Sequence, residues 1–199
     1  VLEAISKEWA EISRLVEQRQ LQRYETALWK ADQAVSQFLP RNLRNQLEFG
    51  AVTYYGQAST IRRNLYSTIS VVSIPRHLWG KYDDRMAGPH EIGHKVFWHL
   101  ASATGLPGRS RQLYDDIAAD ILQSIQDRRE AAGLCNLMGI WLEETFADVY
   151  GTVAAGPPFV ESLIEKFLKP QIGEADALFH NDGDHPLPYL RPLIRICLL

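Results

Sequence analysis

The feature that most restricts the fold is a pair of polar motifs in helical phase, some fifty residues apart. The first lies in Met86-Ala-Gly-Pro89-His90-Glu91-Ile-Gly-His94-Lys95-Val-Phe-Trp98. Positions four apart on a helix share a face one turn apart, so His90 and His94 can grip one cation. Glu91 sits roughly 100° round from His90. There it can act on a metal-bound water without being a ligand. Pro89 belongs at a helix start, which sets the expected helix at about 89 to 103, before Gly105-Leu-Pro-Gly108 breaks it. Taken alone, the same pattern fits a solvated helix carrying a histidine pair.

The second motif lies in an expected helix from Leu137 to Ala155, in Trp141-Leu-Glu143-Glu144-Thr-Phe-Ala-Asp148. Glu144 and Asp148 share a face, whereas Glu143 points about 100° away. Leu142, Phe146, Val149 and Val153 place much of this helix in a core, where unpaired carboxylates are costly. Without that core the three acids are simply a charged surface. A carboxylate from this helix and two imidazoles from the first make a His₂Glu site that leaves one coordination position for water. Asp148, one turn on, can accept the second N–H of a ligand histidine and fix its tautomer.

With both motifs in place, the chain resembles the gluzincins, the metallopeptidase clan that includes thermolysin. Those proteins combine His-Glu-x-x-His with a downstream Glu-x-x-x-Asp helix, matched here by His90, Glu91, His94, Glu144 and Asp148. The resemblance implies Zn²⁺ held by His90, His94 and Glu144, Glu91 as general base, and Asp148 behind the ligands. Further on, His185-Pro186 and Arg191 are similar to the His-Pro-x-x-x-x-Arg element of the CAAX prenyl proteases and related heat-shock membrane proteases. That likeness implies that His185 and Arg191 lie near the substrate carbonyl and help hold the oxyanion; Tyr189 is an alternative donor. The chain departs from this branch in lacking its membrane spans, so the branch's substrates do not carry over. The resemblance covers roughly Ile69 to Arg191. It implies a zinc-dependent peptidase acting on a peptide or protein, the alternative being a catalytically silent binding or scaffolding module.

The expected architecture is α+β and mostly helical: a zincin-like metallopeptidase domain with a small sheet, over 51–199, preceded by a helical segment over 1–50. Residues Leu2 to Leu39 contain no Gly or Pro. Leu2, Ile5, Trp9, Ile12 and Val16, then Tyr24, Leu28, Ala31, Val35 and Phe38, recur at spacings of three and four. This reads as one long amphipathic helix or two abutting near Gln18 to Gln22, stopped by Pro40. Such a helix either packs on the following domain or offers residues 2–39 to a protein partner. Ala51 to Tyr55 and Tyr66 to Ile74 read as strands. An edge of the second could pair with an extended substrate, or the two could form an ordinary hairpin. Ser110 to Ala132 reads as a helix with Leu113, Ile117, Ile121, Leu122 and Ile125 inward and Asp115, Asp116 and Asp120 solvated. Phe159 to Leu168 reads as a short helix. His99, five positions past His94, is off the phase of a third ligand and reads as structural or surface.

A formal net charge of -3 gives no reason to expect nucleic acid. Cys135 and Cys197 sit in apolar settings and read as buried thiols rather than a disulfide framework. No apolar run approaches the roughly 20 residues of a membrane span, and no signal-peptide pattern opens the chain. These features point to a cytoplasmic location, although Val1 in place of methionine leaves room for a removed leader or domain.

Overall fold

A computed structural model describes residues 2–41, 50–57, 60–62, 69–75, 87–103, 115–116, 118–120, 122–165, 186 and 191. It is α+β and mostly helical with one small sheet. The chain divides into two compact units, Val1–Lys95 and Val96–Leu199.

In the first unit, helix α1 (Leu2–Gln20) and helix α2 (Gln22–Ser36) abut at Leu21, where the apolar phase shifts. The inward face of α2 is Leu28, Ala31 and Val35, all buried. The stripe on α1 is not covered among the described residues: Ile5, Trp9, Ile12 and Val16 are all exposed, Trp9 at 69%.

Strands β1 (Ala51–Gly56), β2 (Thr60–Arg62) and β3 (Ser70–Pro75) form a sheet in the order β1-β3-β2. β3 runs parallel to β1, pairing Ala51 with Ser70 through Gly56 with Pro75. It runs antiparallel to β2. This corrects two expectations. β1 and β3 are not a hairpin, and β3 is the middle strand, so it offers no open edge to a substrate over its paired length. All six residues of β3 are buried, as fits a central strand covered on both faces. β2 carries no clear alternation in its three residues and escaped sequence reasoning.

The outer edge of β1 is closed by side chains of α1 and α2. The Thr53 amide donates to Asp32 Oδ1 at 2.7 Å, and the Thr53 carbonyl accepts from Arg19 Nη2 at 2.9 Å. The Gln18 side chain takes both outward groups of Tyr55, its Oε1 accepting from the amide at 2.7 Å and its Nε2 donating to the carbonyl at 2.8 Å. A bare strand edge is a template for unwanted pairing, and here polar side chains occupy it. These bonds tie α1 and α2 to the sheet within the first compact unit.

Helix α3 (Ala87–Ala103) carries the first motif and runs across that division. Pro89 is its third residue, where a missing N–H costs nothing because the first helical amides have no intrahelical partner. Within the first unit, Ile92 is fully buried, and Gly88 would bring an added Cβ to 3.5 Å from Val35 Cγ2.

In the second unit, helical residues 115–116, 118–120 and 122–124 precede helix α4 (Arg128–Ala155), longer at its start than the expected span from Leu137. Asp127 caps it, its carboxylate accepting from the Arg129 and Glu130 amides. Asp127-Arg-Arg-Glu130 is a capping-box sequence, the signal that places the helix start before Gly133. Leu122 and Val153, expected inward, are exposed at 55% and 77%. The buried face of α4 is small and polar: Ala131, Cys135, Ala147, Asp148, Gly151 and Thr152. Cys135 is a buried free thiol, as expected, and donates weakly to the Ala118 carbonyl at 3.7 Å.

Gly156 ends α4 at φ 70°, in the left-handed region that glycine tolerates, and helix α5 (Pro157–Leu163) follows. Fully buried Phe159 packs its ring where a Cβ on Gly151 would fall. Gly151→Ala is therefore expected to lower unfolding stability by about 1–3 kcal/mol through overpacking. Denaturant titration checks this; an unchanged midpoint would show that the ring moves aside freely.

Candidate metal centre

On α3 the Nε2 atoms of His90 and His94 lie 3.1 Å apart, with the rings edge to face at 4.7 Å between centroids. Two donors at about 2.0–2.1 Å from one tetrahedral ion are separated by about 3.3 Å. The imidazole pair thus already has chelating spacing. Buried Ile92 and Val96 lie about 200° round the helix from His90 and His94, which leaves the histidines half-buried.

Glu91 is buried, 7% exposed. Lys95, the charge that follows the second histidine, does not enter the imidazole pair's face. Its Nζ donates to the Gly50 carbonyl at the start of β1, 2.9 Å away, and burial pulls its pKa from 10.5 to about 8.

Within the second unit, Phe97, three residues past His94, meets Phe146 of α4 at 5.2 Å between ring centroids, and Phe146 stacks on Tyr150. Phe146 lies two residues past Glu144. One ligand atom from each of His90, His94 and Glu144 falls within 4.8 Å of the others, and all three residues are half-buried. Two imidazole nitrogens and a carboxylate oxygen suit a divalent transition-metal ion and leave a coordination position open.

The Glu144 carboxylate also meets Arg191. Arg191 donates through Nε to Asp148 Oδ2 at 2.8 Å and through Nη2 to Asp148 Oδ1 at 2.9 Å. The same Nη2 reaches Glu144 Oε2 at 3.3 Å. Arg191 is 5% exposed and Asp148 2%. The guanidinium supplies the opposite charge that offsets the cost of burying the Asp148 carboxylate. Asp148 thus receives the Arg191 guanidinium on both oxygens, and Arg191 bridges the two acids of α4. Sequence reasoning missed this ion pair. Its signal was an aspartate in a helix face rich in buried small residues, with a downstream arginine to neutralise it.

No family model, curated protein or solved structure matches this chain. The site therefore rests on its own residues. His185 and Tyr189 lie outside the described residues, as do Cys197, Leu113, Ile117 and Ile121. Pro186, next to His185, is buried. Glu143 is half-buried, and Asp115, Asp116 and Asp120 are exposed, as a solvated face should be. His99 is on α3, with its side chain outside the description. Among the described residues no helix is long and apolar enough to cross a membrane.

Proposed function

We propose that this protein is a zinc-dependent peptidase with a zincin-like active site, hydrolysing peptide bonds in a peptide or protein substrate. The observation that carries the reading is the approach of His90, His94 and Glu144 donor atoms to within 4.8 Å of one another, with Glu91 on the same helix as both histidines. A bound zinc ion supplies Lewis acidity and lowers the pKa of water toward about 7.

Glu91 accepts a proton from the attacking water at its carboxylate and passes it to the leaving amine. Its position next to a ligand, on the neighbouring helix face, is what a base that is not itself a ligand requires. His185, carried by the His-Pro element, is assigned to the substrate carbonyl oxygen, where loss of a donor typically costs about 10² to 10³ in rate.

The exposed stripe Ile5, Trp9, Ile12 and Val16 on α1 favours a second reading, a catalytically silent module that binds a partner through that helix. A peptide-library digest separates the two. Cleavage that a chelator stops and added zinc restores supports the peptidase. Absence of cleavage by zinc-loaded protein supports the silent module.

A further inference from the structure

We propose that Arg191 is a positioning residue for the metal ligand Glu144: its guanidinium, anchored on Asp148, fixes the Glu144 carboxylate for the ion. The inference rests on the proposed metal site and gives Arg191 a role distinct from oxyanion binding. Three observations carry it.

The guanidinium spans both acids, meeting Asp148 through Nε and Nη2 at 2.8 and 2.9 Å and Glu144 through Nη2 at 3.3 Å. Arginine's planar fork suits this arrangement because one rigid group can serve two carboxylates at fixed angles. The anchor itself is buried. Asp148 is 2% exposed, two turns before the end of α4, and its backbone carbonyl accepts from Thr152 Oγ1 at 2.9 Å. Glu144 is different: it is only half-buried, and glutamate has three rotatable side-chain bonds, so by itself it would sample several rotamers. Contact with Arg191 at one oxygen limits that freedom, and a carboxylate has a second oxygen with which to serve a metal.

Charge must be separated from geometry. Glu144, Asp148 and Arg191 together carry one net negative charge, from two carboxylates and one guanidinium. Removing Arg191 alone would make the site more negative and by Coulomb attraction favour any cation, masking a loss of alignment. Two variants avoid this by conserving the net charge. Arg191→Lys keeps the positive charge but lacks the fork. The double variant Asp148→Leu/Arg191→Met removes one charge of each sign and replaces Asp148 with an apolar side chain of the same branching. Buried ion pairs exchanged as a whole for hydrophobic residues commonly keep the fold.

The test is zinc affinity of the full chain, measured by competition with a chromophoric chelator, with circular dichroism confirming that each variant is folded. Partners that hold a ligand carboxylate typically contribute 10- to 100-fold to metal affinity, so both variants are expected to bind zinc about 10- to 100-fold more weakly. Hydrolysis at saturating zinc should recover most of the wild-type rate. Affinity within about threefold of wild type in the folded double variant overturns the assignment, and so does normal affinity with a depressed kcat, the signature of an oxyanion donor. If Arg191→Lys does not fold, the double variant decides alone. Wild-type protein that binds no zinc removes the metal reading as well, whereas wild-type binding with equal binding by the variants removes only the role of Arg191.

Discussion

Glu91→Gln is expected to lower kcat for peptide hydrolysis by about 10² to 10⁴ while leaving zinc affinity within about threefold of wild type. The asymmetry follows from what the side chain does in the proposed site. Glutamine has the size and shape of glutamate, so a side chain only 7% exposed can be exchanged without opening a cavity. Its amide cannot accept the proton that water must lose. Since the ligand group comprises His90, His94 and Glu144 and not Glu91, the metal should stay. Rates measured at saturating zinc, beside a chelator-competition titration, check both halves. Wild-type hydrolysis by the variant would remove Glu91 from the mechanism; loss of zinc would move it into the ligand set.

Arg191→Ala is expected to lower unfolding free energy by about 3–5 kcal/mol, because it leaves the Asp148 carboxylate buried without its cation. Both partners are nearly inaccessible, 6% and 2% of their side-chain surface remaining in contact with solvent. Bulk water therefore cannot replace the lost guanidinium. Asp148→Leu/Arg191→Met should differ in sign or nearly so, within about 1 kcal/mol of wild type or more stable, since no unpaired charge remains. Denaturant midpoints at constant slope check the pair. Equal destabilisation by both variants would show that packing, not the uncompensated charge, sets the cost.

The helices were largely legible because burial imposes a period on the chain. Leu28, Ala31 and Val35 recur at three and four and are all buried. His90 and His94 were legible for the same reason, since helical phase puts them on one face, whereas Glu144, on another helix, entered through the resemblance of the paired motifs to a known pattern. The start of α4 was misplaced because its cap at Asp127 lies inside the span from Ser110 to Ala132, where apolar spacing reads as a separate helix. Sheet order was not legible: pairing β1 parallel to β3, with β2 on the far side, depends on contacts between strands that local alternation does not encode. Nor was Arg191 legible as a partner of Asp148, 43 residues away, because a buried ion pair leaves no periodic trace. The α1 stripe shows the converse. Its spacing is helical, yet Trp9 and Val16 stay exposed, so amphipathic phase reports a face suited to burial and not what covers it.

The central claim is that His90, His94 and Glu144 hold one metal ion. Its most direct test is the zinc content, after dialysis against a weak chelator, of the wild-type chain and of His90→Ala, His94→Ala and Glu144→Ala. One zinc per wild-type chain, lost from each folded variant, is the predicted result. A wild-type chain that retains none, or variants that retain as much as wild type, would contradict it.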